Sequence, residues 1–165
     1  PYHNATHAAD VTQTFHYMMY PAHGIQVGAL TSSDVCACYL SAACHDVGHM
    51  GRNNNFLINS DDSLAIRYND KSVLENFHIA TTFQITAEND KNIFENFARD
   101  DYVSMRGKIV AMVLATDISR HFSDLSKFKN KFATHEISED GDKIILMEML
   151  MLSLPWWINW ATRNR

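Results

Sequence analysis

Residues 31–51 read TSSDVCACYLSAACHDVGHMG, and this stretch decides the fold. Thr31 and Asp34 stand three apart, the spacing of a capping box in which each side chain accepts from the other residue's backbone N–H. Behind them Val35, Cys38, Tyr39 and Ala42 recur at helical spacing up to His45, and Gly48 and Gly51 end the helix. At a helix C-terminus the backbone turns away, so His45, Asp46 and His49 can point to one centre. Neutral imidazole and carboxylate suit a divalent ion, and the two oxygens of a carboxylate can bridge two ions. Taken alone, a His-Asp pair at a helix end is more often a solvated or hydrogen-bonded terminus, so the context has to decide.

Upstream, His3, His7, Val11 and Phe15 follow one another at i, i+4, which makes a single stripe on a helix over 2–19 that passes from ligands to core. Downstream, Asn53, Asn54 and Asn55 predict a polar turn, and a short helix around Leu64–Tyr68 breaks at Asn69-Asp70. Ser72 is placed to cap the next helix, which carries Val73, Leu74, Phe77, Ile79 and Phe83 and puts Glu75 and His78 on one face before Asn89-Asp90. An amphipathic piece with Ile93, Phe94 and Phe97 leads into a helix with Ile109, Val110, Val113 and Leu114 at core spacing, ending near Thr116 and Asp117. A basic stretch from Phe122 to Phe132, an acidic loop from Ser138 to Asp142 and an apolar helix from Lys143 to about Leu154 complete the pass. Glu148 and Pro155 interrupt the apolar run Ile144–Ala161, leaving neither half near the roughly 20 residues of a membrane span.

The bulk numbers agree with helices. Among 165 residues there are only six Gly and three Pro, too few for the turn-dense connections of an all-β fold, and 46% are apolar. The net charge of −5, with no cluster of Lys and Arg, argues against a nucleic-acid surface. A small anion could still be held locally by metal ions. Cys36, Cys38 and Cys44 show no CxxC spacing and read as small buried residues of a reducing compartment. No basic-then-apolar leader follows Pro1, so the expected location is cytoplasmic, with any membrane association supplied by regions other than this chain. The nine histidines exceed what core packing asks for, and His3, His7, His45, His49 and His78 stand with acidic partners. The spacing leaves the role of His78 itself undecided. His16, His23 and His135 read as surface or packing residues, His121 as a partner of Asp117, and Met147, Met149 and Met151 as core filler.

Four motifs occur together: Tyr2-His3-Asn4 with His7-Ala8-Ala9-Asp10-Val11; His45-Asp46-Val47-Gly48-His49; Tyr68-Asn69-Asp70 with Ser72-Val73-Leu74-Glu75-Asn76; and Thr116-Asp117 followed by His121. In their order and spacing they resemble the class I cyclic-nucleotide phosphodiesterase family over residues 2 to about 150. The resemblance implies an all-α, multi-helix bundle of the phosphodiesterase or HD-type metal phosphohydrolase kind, of which residues 1–150 are the N-terminal part and residues 151–165 a divergent tail. It implies two divalent ions, zinc and magnesium or manganese, a cyclic-nucleotide substrate, and hydrolysis of cAMP or cGMP to 5′-monophosphates. By the same resemblance His7, His45 and Asp46 are metal ligands, with Asp46 bridging. His3 is the general acid for the leaving O3′ oxygen, Glu75 orients it, His49 and Thr116 join the water network of the second ion, and Tyr2 and Asn54 line the pocket.

The sequence departs from the family pattern in three places. Gly48 and Met50 replace a common Asp and Pro beside the ligands. The helix that in the family ends in Ala-Asp, whose Asp completes the first ion's ligands, here reads Met-Leu-Met-Leu-Ser-Leu-Pro over 149–155. A truncated helical domain would leave apolar faces uncovered, so the isolated chain is expected to associate. The competing reading is a catalytically incompetent relic of the fold that acts by protein contacts. A general His-Asp phosphohydrolase is disfavoured by the Tyr2-His3-Asn4 and Ser72–Asn76 motifs.

Overall fold

The computed structural model describes residues 2–19, 30–132 and 143–151. Its elements are α1 (Ala5–Met19), α2 (Ser32–Cys44), α3 (Asn54–Asn59), α4 (Ser63–Tyr68), α5 (Val73–Ile85), α6 (Arg99–Leu114), a 3₁₀ turn (Ile118–Arg120), α7 (His121–Phe132) and α8 (143–151). Among the described residues there is no strand, as the all-α expectation requires.

The centre of the fold is α2, which packs against α1 and α6 and touches α5. Its capping box forms as the spacing predicts: Asp34 N–H donates to Thr31 Oγ1 and Thr31 N–H donates to Asp34 Oδ2, at 3.2 and 2.8 Å. The buried residues Ala37, Cys38, Ser41 and Ala42 are small, which lets neighbouring backbones approach on both sides. The main core joins Ala37, Cys38 and Ala42 to Val11, Phe15 and Met19 of α1, Ile79 and Phe83 of α5, Met105, Ile109, Met112 and Val113 of α6, and Met147, Leu150 and Met151 of α8. Thus Met147 and Met151 are core filler, as expected. Cys36 is not buried: it lies on the outward side of α2, while burial pushes the Cys38 thiol up to about 12 and leaves it inert.

Three local expectations need correcting. The 2–19 helix starts at Ala5, because Asn4 Oδ1 accepts from the N–H groups of Thr6 and His7 and so caps it; His3 precedes the helix and is not on its stripe. The Asn53–Asn55 run is not only a turn: the Asn53 side chain accepts from Phe56 N–H and opens α3, whose Leu57 packs with Ala65, Val73 and Leu74 in a second, smaller core. The Phe94 segment is a series of turns that buries Phe94 between Phe83 and Tyr102, at ring separations of 6.2 and 5.6 Å. His16 is exposed and pairs with the Tyr39 hydroxyl at 2.7 Å. His23, His135, the acidic loop and the tail beyond Met151 lie outside the described residues. Among the described residues no helix is long and apolar enough to cross a membrane.

Asp34 also ties α2 to α6, through Lys108 Nζ at 2.5 Å from its Oδ1. Burial would raise its carboxyl, but Lys108 and the Thr31 backbone and hydroxyl groups outweigh that and hold it below its ordinary value. A depressed folded value means a contribution that is complete above the unfolded value of about 3.9 and is lost as the pH falls through the folded one. Asp34→Asn is therefore expected to cost about 2 kcal/mol at pH 7, in line with a charged hydrogen bond. Denaturant melts at a series of pH values from 7 downward check this: the wild type loses the increment progressively as the pH falls below about 4, and the variant has none to lose.

Candidate metal centre

The end of α2 turns sharply, with Val47 N–H donating to Cys44 O and His49 N–H to Asp46 O. Gly48 sits at φ +74°, and a Cβ there would come within 3.1 Å of the Phe77 ring. An aspartate at this position would be strained twice over, by its backbone and by Phe77. The turn presents Asp46 to α1 on one side and α5 on the other.

Four imidazoles converge on this carboxylate. His7 Nε2 and His45 Nε2 lie 3.1 and 3.0 Å from Asp46 Oδ2, His3 Nε2 lies 3.8 Å from the same oxygen, and His78 Nε2 lies 3.8 Å from Oδ1. Backbone carbonyls fix two of the rings. His45 Nδ1 donates to Ala42 O at 3.0 Å and His78 Nδ1 to Val47 O at 2.8 Å. A carbonyl only accepts, so each ring spends its Nδ1 proton there and turns Nε2 to the centre, the arrangement that orients metal-bound histidines. Burial would raise Asp46, but the bonds from His45 and His7 and the charges of the imidazoles hold it well below the usual carboxylate range. Burial likewise lowers His78 to about 4, so its ring is neutral at neutral pH, as a ligand must be.

These donors fit a divalent ion. The ligand atoms of His3, His7 and Asp46 all lie within 4.8 Å of one another, as do those of Asp46, His49 and His78. Two ligands about 2.1 Å from one ion at a right angle stand about 3 Å apart, which is the separation of Asp46 Oδ2 from the His7 and His45 nitrogens. His49 differs from its neighbours. Its Nδ1 accepts from Gly51 N–H at 2.9 Å, so the neutral ring carries its proton on Nε2 and is a donor. Its ring stacks between His3 and His78, with centroids 3.8 and 5.5 Å away. Burial lowers both His3 and His49, Asp46 partly opposing and the nearby imidazoles adding to the effect.

The centre opens onto a cavity of about 890 Å³ lined by Tyr2, His3, His49, Asn54, Glu75 and Thr116 among others. Tyr2, more than half exposed, packs edge-on against His3 and tilted against His7. The Thr116 hydroxyl donates to Val113 O at 2.7 Å. Burial lifts Glu75 above its ordinary value against the Asn54 hydrogen bond, with Asp117 and Asp46 adding to the rise. Thus the sequence-predicted ligands His7, His45 and Asp46 meet, with His3 and His49 beside them, and Tyr2, Asn54, Glu75 and Thr116 are on the wall. The His3 ring meets Tyr2, His7, His49 and the Asp46 carboxylate, while Glu75 Oε2 accepts from Asn54 Nδ2 at 2.9 Å.

Sequence reasoning leaves His78 undecided and misses the anchoring of α5. Ser72 stands at the N-cap position, but its backbone is left-handed (φ +43°) and its hydroxyl does not cap; it donates to Asp117 Oδ2 at 2.7 Å. Asp117 accepts from Ser72 through Oδ2 and from Ser119 N–H through Oδ1.

The model of the 3′5′-cyclic nucleotide phosphodiesterase family matches residues 2–153. The chain is 46% identical over 155 residues to a probable 3′,5′-cyclic phosphodiesterase, pde-6, of Caenorhabditis elegans, covering 91% of this chain and 20% of that protein. It is 43% identical over 160 residues to the human high affinity cAMP-specific and IBMX-insensitive 3′,5′-cyclic phosphodiesterase 8A, covering 94% and 19%. The chain thus spans about a fifth of the length of these curated relatives. Its fold superposes on the phosphodiesterase domain of Salpingoeca rosetta rhodopsin phosphodiesterase with a TM-score of 0.85 at 29% identity, over 92% of this chain and 46% of that one. Fold, motif order and sequence agree, and the chain belongs to the 3′5′-cyclic nucleotide phosphodiesterase family.

Proposed function

We propose that residues 1–150 form the N-terminal part of a phosphodiesterase catalytic domain that hydrolyses cAMP, cGMP or both to 5′-monophosphates in the cytoplasm, with 151–165 as a divergent tail. The observation that carries the reading is the convergence of His3, His7, His45 and His78 on the single carboxylate of Asp46. On this reading His7, His45 and Asp46 would hold one ion, and Asp46 would also serve as a ligand of a second. Zinc and magnesium or manganese suit imidazole and carboxylate donors. When bound, such ions lower the pKa of a water nucleophile and neutralise charge on the phosphoryl oxygens.

The side chains do the rest. Water adds to phosphorus and gives up a proton, the P–O3′ bond breaks, and His3, with Glu75 on the same wall to orient its ring, gives its proton to the O3′ oxygen; the proton lost by water replaces it on His3, so the cycle closes. His49, with its Nε2–H directed by the bond at Nδ1, and the Thr116 hydroxyl serve the water network around the second ion. Tyr2 and Asn54 line the opening through which the cyclic nucleotide enters.

The test is hydrolysis of cAMP and cGMP by the purified chain with zinc and magnesium, with metal content measured in parallel. The expected result is turnover that a chelator abolishes and the two metals restore. Stoichiometric zinc without turnover would instead support the relic that acts by protein contacts, whose donor set lacks the family's carboxylate at 149–155.

A further inference from the structure

The resemblance makes Asn54 a residue of the pocket lining, yet its side-chain amide is engaged at both ends by α5. Oδ1 accepts from Leu74 N–H at 2.9 Å, and Nδ2 donates to Glu75 Oε2 at 2.9 Å. The orientation is unambiguous, because a backbone N–H can only donate and so must face the amide oxygen. Ser72 does not fill the N-cap role, since its hydroxyl is held by Asp117. A residue at the start of α3, 20 positions earlier, thereby caps α5 and grips the first carboxylate of that helix.

From this geometry we infer that Asn54 is a positioning residue: it fixes the Glu75 carboxylate in the cavity and acts on the reaction through Glu75 and not through the nucleotide. The inference rests on the phosphodiesterase reading above. Two substitutions separate the roles. Asn54→Asp keeps the acceptor for Leu74 N–H, and a carboxylate at a helix N-terminus caps at least as well as an amide. What it removes is the donor to Glu75, and it sets two carboxylates against each other. Combined with Glu75→Gln, it restores one hydrogen bond with donor and acceptor exchanged.

The experiment measures melting temperature at pH 8 and steady-state hydrolysis of cAMP or cGMP for the full chain, both single variants and the double variant. Asn54→Asp is expected to melt a few degrees lower and to lose about 10- to 100-fold in kcat with KM nearly unchanged, the usual scale for a residue that orients a site group. The double variant is expected to regain the melting temperature but not the turnover, since the Glu75→Gln change leaves an amide where the reaction needs a carboxylate. An Asn54→Asp variant with wild-type melting and kcat would show that Asn54 is only a helix cap. A change confined to KM would show direct contact with the nucleotide. Either result overturns the inference. Absence of hydrolysis in the wild type overturns the phosphodiesterase reading instead, while the melting cycle still decides whether Asn54 holds Glu75.

Discussion

Asp46→Ala is expected to abolish cyclic-nucleotide hydrolysis, a fall of about 10⁴-fold or more, equivalent to roughly 5 kcal/mol of lost transition-state stabilisation. The size of the effect follows from the position of this carboxylate. Among the described residues it is the one acidic group within 4 Å of His3, His7, His45 and His78, with Oδ2 facing the first three and Oδ1 facing His78. Removing one imidazole leaves three and the carboxylate. Removing Asp46 takes the anionic donor from both candidate groups of ligands at once. Elemental analysis should therefore show bound metal falling toward zero along with kcat/KM. The fold should persist, because Asp46 follows the last turn of α2 and the core residues Ala37, Cys38 and Ala42 lie further back on that helix. An intermediate loss is expected for Asp46→Asn, which keeps a neutral oxygen in place. Retained metal, or turnover close to wild type in Asp46→Ala, would rule out Asp46 as the bridging ligand.

What could be read from the sequence and what could not divides along physical lines. The capping box of Thr31 and Asp34, the Val11 and Phe15 stripe and the arrest of α2 before Gly48 are local features, set by spacing within a few residues. The meeting of His45 and Asp46 is legible for the same reason, since adjacency at a helix end nearly fixes it. The opening of α5 is not. Ser72 has the composition of a cap, but three left-handed residues, Asn69, Asp70 and Ser72, turn its hydroxyl toward Asp117, and capping passes to Asn54. No local spacing encodes a bond across 20 residues. His78 stays undecided in the sequence because its role depends on a carbonyl 31 residues away, at Val47, which sends its Nε2 toward Asp46. The run Asn53–Asn55 reads as a turn because asparagine is a poor helix former. Burial of Leu57 against Ala65 and Leu74 overrides that propensity once the Asn53 cap is in place.

His3→Gln is expected to lower kcat for cyclic nucleotides by about 10² to 10⁴-fold, the range for loss of a positioned general acid, with bound metal largely retained. The reason lies in what His3 does not do. Its Nε2 lies 3.8 Å from Asp46, further than His7 or His45, and its ring leans on His49 and Tyr2 at the mouth of the cavity. Its nitrogen falls in one candidate ligand group with His7 and Asp46, but His3 also lines the cavity, where it can reach a bound substrate. A proton is needed only if the departing oxygen is a poor leaving group. The O3′ alkoxide of a sugar is one, whereas p-nitrophenolate leaves unaided. Hydrolysis of a nucleoside 5′-p-nitrophenyl phosphate should therefore fall by far less in His3→Gln, while cyclic AMP hydrolysis falls by the full factor. Equal losses on both substrates, accompanied by loss of metal, would make His3 a ligand. Equal losses with metal retained would make it a residue that orients the phosphate, and either outcome would remove it from the proton-transfer step.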